Sequence, residues 1–172
     1  TELTESLKGL PTRTTQFGRF DKGLAYTILM KYYMHEKNWA KAEECGRELL
    51  KAEYGYGLMD RYADIFTLEN EGNKEIIFAC TEERGTNLQL WHDHALPGNY
   101  PTKNASIQKW DGYKVPWPFY RTFEEGDDRL SVLVGEYVGT DGVLFNEESD
   151  IAKHGNLYSG AVPVKYGEDP ES

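Results

Sequence analysis

The sequence predicts a mainly α chain in which a two-helix hairpin supports a long irregular, loop-rich region and a small β-hairpin. Three observations predict it. Apolar residues recur at helical spacing through residues 21–53, prolines and glycines punctuate the stretch beyond residue 80, and an Asp-Gly pair at 141–142 separates two strand-like runs. At 172 residues the chain is the size of one domain, long enough to bury roughly 70% of its unfolded surface.

Residues 1–19 read as an extended lead-in, 20–68 as the helical segment, and 69–172 as a loop-rich region with short strands that is the candidate ligand-binding part. In the first helix Leu24, Ile28, Leu29, Tyr32 and Tyr33 form the apolar face, with Asp21 placed to cap its start. In the second, Asn38 is the N-cap, Ala42, Cys45, Leu49 and Ala52 make the stripe, and Gly55 offers a left-handed stop. The spacing of Leu29, Tyr33, Trp39, Ala42 and Leu49 resembles a tetratricopeptide repeat, which implies a TPR-like α-α superhelix. In such a repeat the small Ala42 lets the helices close up while Trp39 fills the turn. No second copy follows at a period of about 34 residues, and a lone repeat cannot bury both faces. The hairpin is therefore expected to pack on the irregular remainder or on helices from further chain.

Beyond Phe66 the helical period stops. KEIIFAC, residues 74–80, reads as a strand, and RLSVLVGEYV and GVLFN read as a β-hairpin around Gly139-Thr140-Asp141-Gly142. Cys45 and Cys80 make neither a metal pattern nor a disulfide framework and are expected to be inert, mostly buried thiols.

Charge narrows the partners. With 19 basic and 29 acidic residues the net charge is −10, which repels phosphate backbones and anionic lipid, so nucleic acid and bare membrane surface are not expected partners. No apolar run approaches the ~18 residues of a membrane span, since GLAYTILMKYYM is cut by Lys31.

An ordered series runs through residues 10 to 80: Leu10-Pro11, Gly18-Arg19, Lys22-Gly23, Ala25, Leu29, Tyr33, the NWAKA turn, Tyr56-x-Leu58, Tyr62, Phe66 and ENEGNKEIIFA. With Asp127-Asp128-Arg129 further on, it resembles the SusD/RagB family of outer-membrane nutrient-binding lipoproteins. The resemblance implies non-catalytic binding of oligosaccharide at the cell surface, on the outer membrane, for delivery to a TonB-dependent transporter of the SusC type. It implies membrane attachment only through a lipid anchor absent from this chain, and no cofactor. Members of that family are several times longer than this hairpin, begin with a lipidated cysteine and end in further helices, so the chain is expected to be a central fragment.

Three of the four tryptophans fall between Trp91 and Phe123, a stretch that holds about twice its even share of aromatic residues. A large ring on a loop offers an apolar face to the C–H side of a sugar while nearby amides and acids take its hydroxyls. Trp91, Tyr100 and Trp110, each beside Pro, Asn, Asp or Gly or near them, are expected to reach solvent. Tyr113 and Trp117 join them as glycan-binding candidates, with Asp93, Asn99 and Asp111 as polar partners. WPFY reads as the local core, because Phe119 and Phe123 sit four apart. Family members are thought to hold glycans through aromatic side chains on loops, but no motif position carries over to these residues.

Sharper chemistries find less support. His92-Asp93-His94 lacks a third ligand by spacing, and no metal is expected. Glu124, Glu125, Asp127 and Asp128 read as a solvated turn with Asp127 pairing Arg129 or capping the backbone, rather than as a glycosidase pair. No phosphate loop, dinucleotide fingerprint or Ser-His-Asp set is present, so no enzyme is expected. The runner-up function is a TPR-type protein–protein interaction scaffold that binds a peptide along the hairpin; a glycan hydrolase using the acidic turn comes third.

Overall fold

The structure, a computed structural model, describes residues 2–82, 90–166 and 168. It contains two compact units: residues 1–59 with 72–82, and residues 60–71 with 83–172.

In the first unit α1 (Glu2–Ser6) precedes a hairpin of α2 (Lys22–His35) and α3 (Trp39–Leu49). Both expected caps are present. Asp21 accepts a bond from the Leu24 amide at 3.0 Å, and its second oxygen accepts the Thr14 amide at 3.1 Å, which ties the lead-in to the helix start. Asn38 Oδ1 accepts the Lys41 amide at 3.3 Å. Replacing Asp21 with alanine removes both acceptors and is expected to cost about 1–2 kcal/mol, read as a lower urea midpoint at unchanged slope.

The buried seam is narrower than the periodicity suggests. Ala25 and Leu29 on α2 and Ala42, Cys45 and Leu49 on α3 are buried, whereas Ile28 and Tyr32 are exposed. Gly23 is small for a reason: a Cβ there would overlap the Tyr56 hydroxyl. Trp39 does not fill the turn but stands 63% exposed. Ala52 belongs to a short 3-10 turn, Ala52–Tyr54, and it is this turn, not α3, that Gly55 stops at φ 65°. KEIIFAC forms no strand, because its backbone finds local turns, such as Ile76 N–H to Asn73 O, and a lone bond from the Gly57 amide to Lys74 O instead of a ladder. Cys80, expected to be buried, is exposed.

The second unit is built from short pieces: α4 (Trp91–Ala95), β1 (Val115–Pro116), α5 (Trp117–Tyr120), β2 (Leu133–Val134), β3 (Glu136–Val138), β4 (Leu144–Asn146), α6 (Glu147–Ile151) and β5 (Gly160–Pro163). β5 lies between β1 and β2, antiparallel to both, with Val115 opposite Ala161 and Leu133 opposite Pro163. β3 and β4 form the expected hairpin, with Tyr137 opposite Phe145 and Gly142 turning at φ 78°, but the hairpin is shorter than the sequence runs. Leu133 and Val134 leave it for β5, and Asp128–Val132 coils into a 3-10 turn. Ala95, Leu96, Trp117, Tyr137, Leu157, Ala161 and Val162 make the core.

The fold is therefore mixed α/β, and the expectation of a mainly α, TPR-like superhelix is overturned: the described residues hold six helices, two of them paired as the hairpin, and five short antiparallel strands. Strands of two to four residues carry too few positions to show an alternating period. β5, buried at every position, would not alternate in any case.

Candidate functional site

The segment WHDHA is irregular by its flanking Gly and Pro signals but forms α4. Its N-terminus has no side-chain cap, and residues 108–113 fasten it by donating to its carbonyls and to the Asp93 carboxylate. The Trp110 amide donates to Asp93 O at 2.5 Å, Asp111 to Leu96 O at 3.0 Å, and Gly112 and Tyr113 to His94 O at 2.6 and 2.9 Å. The Asp93 carboxylate accepts the Gln108 amide at 2.7 Å. Carbonyls left over at a helix end need such partners. Making these contacts takes Lys109 and Asp111 to φ 57° and 56°, and Gly112 allows the close approach because a Cβ would sit 3.2 Å from His94 O.

This strap places two rings on His94. The Trp110 ring lies 4.7 Å from the imidazole, edge on, and the Tyr113 ring lies 5.1 Å away at an interplanar angle of 25°. Tyr113 also meets Trp91 at 5.5 Å, Trp91 meets Tyr166 at 5.5 Å, and Tyr166 meets Phe66 at 5.8 Å. The result is a continuous aromatic ribbon within the second unit. Trp110 is 50% exposed, Tyr113 43% and Tyr166 38%. The half-buried Trp91 anchors the ribbon by donating its indole N–H to Pro163 O at 3.0 Å, and His92 Nε2 lies 3.1 Å from Tyr166 O. Lys165 Nζ sits 4.2 Å from the Phe66 ring centre, a cation–π contact that closes one end.

The other expected candidates fall elsewhere. Trp117 is 6% exposed and donates its indole N–H to Leu157 O at 2.8 Å, so it is core rather than contact surface. Trp91 and Tyr100, expected to reach solvent, pack against the same core cluster. The Tyr100 ring lies 5.0 Å from Tyr137. Phe119, expected in the core, is exposed. Asn99 is a structural node: its Oδ1 accepts from Tyr137 Oη at 2.8 Å and Asn156 Nδ2 at 2.7 Å, while its Nδ2 donates to Asp141 at 3.3 Å. Asp111 is engaged by Lys114, and Asp93 by the Gln108 amide. Sequence reasoning brought Trp110, Tyr113 and Trp91 together but missed His94 as a ring, and missed Tyr166 and Phe66, which join only through long-range packing.

Burial pushes the Tyr137 phenol up to about 12 from an ordinary value near 10. The folded chain thus keeps this proton where the unfolded chain has released it, so stability falls as pH rises through the window from 10 to 12. Urea midpoints across that window are expected to drop, and less steeply in Tyr137→Phe. Asp127 pairs with Arg129 at 2.6 Å and accepts the Arg129 amide, and these bonds hold its carboxyl down at about 2. Among the described residues no group of three or more His, Cys, Asp or Glu is arranged to hold a metal, and no helix is long and apolar enough to cross a membrane.

Comparison of the chain with protein-family models, with curated proteins and with solved structures finds no match.

Proposed function

We propose that the chain binds carbohydrate without transforming it, using the ribbon of Trp110, His94, Tyr113, Trp91 and Tyr166. The observation that carries this reading is the exposure of large rings on a backbone already fastened by hydrogen bonds to α4. A solvent-facing ring held in place loses little freedom when a sugar stacks on it, so more of the contact energy is available for affinity. Each face is worth about 0.5 to 1.5 kcal/mol, so two or three give at most about 4 kcal/mol, a millimolar grip. Such a grip suits capture followed by release.

The acids nearby support binding over hydrolysis. Asp93 and Asp111 are engaged by the Gln108 amide and by Lys114, and Asp127 is held by Arg129. None stands as a free pair of carboxylates across a cleft. The resemblance of residues 10 to 80 to the SusD/RagB series adds the biological setting to the proposal: surface exposure on the outer membrane and hand-over of oligosaccharide to a TonB-dependent transporter of the SusC type. A glycan array followed by calorimetry tests it. Saturable, millimolar binding to at least one oligosaccharide is expected, with no release of reducing sugar on long incubation; a silent array at millimolar sugar, or steady hydrolysis, would refute it.

A further inference from the structure

The first unit holds a pocket of about 200 Å³ whose wall includes Arg13, Arg19, Thr14, Thr15, Phe17 and Phe78, and it shares no residue with the aromatic ribbon. Arg13 is held in place by neutral groups. Its Nη1 donates to the carbonyls of Tyr54 at 3.0 Å and Gly55 at 3.1 Å, and its guanidinium lies 4.7 Å from the Tyr56 ring centre. Among the described residues neither Arg13 nor Arg19 is ion-paired. The one acid in the wall is Asp21, 3% exposed, and its two oxygens already accept the amides of Leu24 and Thr14. Two arginines therefore line this space against one occupied carboxylate, in a chain whose net charge is −10.

The apolar wall and the geometry of the fork fit the same occupant. Phe17 and Phe78 line the pocket as apolar rings. The planar guanidinium fork fits the two oxygens of a carboxylate or phosphate, and its five donors are not satisfied by two carbonyls.

We infer that this pocket binds a small oxyanion with an apolar body, a carboxylate or phosphate monoester seated on Arg13 and Arg19 with its apolar part against Phe17 and Phe78. The site is independent of the carbohydrate reading. Amide NMR titration of the full chain with benzoate, phenyl phosphate, inorganic phosphate and the neutral isostere benzamide tests it. Benzoate or phenyl phosphate is expected to shift the amides of Thr14, Thr15, Gly18 and Arg19 and to bind about tenfold more tightly than benzamide, which is about 1.4 kcal/mol. The tighter of the two names the ligand chemistry, and inorganic phosphate, lacking the apolar body, binds more weakly than phenyl phosphate. Arg19→Met is expected to remove the preference, whereas Arg19→Lys retains part of it. Circular dichroism of Arg19→Met checks the fold, which does not rest on that side chain, because the Arg19 bond to Gln16 O is made by the backbone. Equal binding of benzamide, no shift with either organic anion, or an unchanged response in a folded Arg19→Met would overturn the inference.

Discussion

Trp117→Ala is expected to destabilise the chain by about 3–5 kcal/mol, a large share of the roughly 5–15 kcal/mol stability of a typical domain. The indole is 6% exposed, packs edge-on against Tyr120 at 5.3 Å, and bonds the carbonyl of Leu157, itself fully buried. Truncation removes the ring's buried area, leaves a cavity, and strands that carbonyl without a donor. Trp117→Phe restores most of the volume but not the N–H, so a smaller loss of about 1–3 kcal/mol is expected. Urea unfolding followed by near-ultraviolet circular dichroism checks both; a Trp117→Ala variant as stable as the parent would remove Trp117 from the core.

Trp110→Ala combined with Tyr113→Ala is expected to do the opposite, abolishing sugar binding at little cost to stability. Both rings are more than two-fifths exposed, and surface replacements of this kind usually stay within about 0.5 kcal/mol. Each lost face removes about 0.5 to 1.5 kcal/mol, so the pair weakens binding roughly five- to 150-fold. From a millimolar start that is complete loss in calorimetry. The backbone strap should survive, because the amides of residues 110 and 113, not their side chains, bond to α4. Unfolding of the double variant would mean that the rings hold the loop together, and full-strength binding would mean that they do not touch the sugar.

These opposite outcomes for Trp110 and Trp117 mark the limit of reading this sequence. Both tryptophans adjoin turn-forming residues, and the surplus of rings after Trp91 was visible. What separates them is the carbonyl of Leu157, 40 residues from Trp117, which no local pattern encodes. Features set by near neighbours were legible: the caps Asp21 and Asn38, the starts of α2 and α3, and the Asp-Gly turn of the β3–β4 hairpin. Features set at long range were not. Val115 on β1 pairs with Ala161 on β5, the carbonyls of Asp93, His94 and Leu96 at the end of α4 take their donors from residues 110–113, and Tyr166 reaches Trp91 from near the C-terminus. Ile28, Tyr32 and Trp39 failed differently, since helical spacing marks a face as apolar without saying that anything covers it.

The four tryptophans supply their own gauge of the carbohydrate contact, because each indole N–H gives one NMR signal. On titration with an array-selected oligosaccharide, the Trp110 signal is expected to move in step with saturation. The Trp117 signal, sealed against Leu157 O, should stay in place, as should that of Trp39, which is exposed but lies in the other unit. Movement of Trp39 with Trp110 stationary would contradict the account.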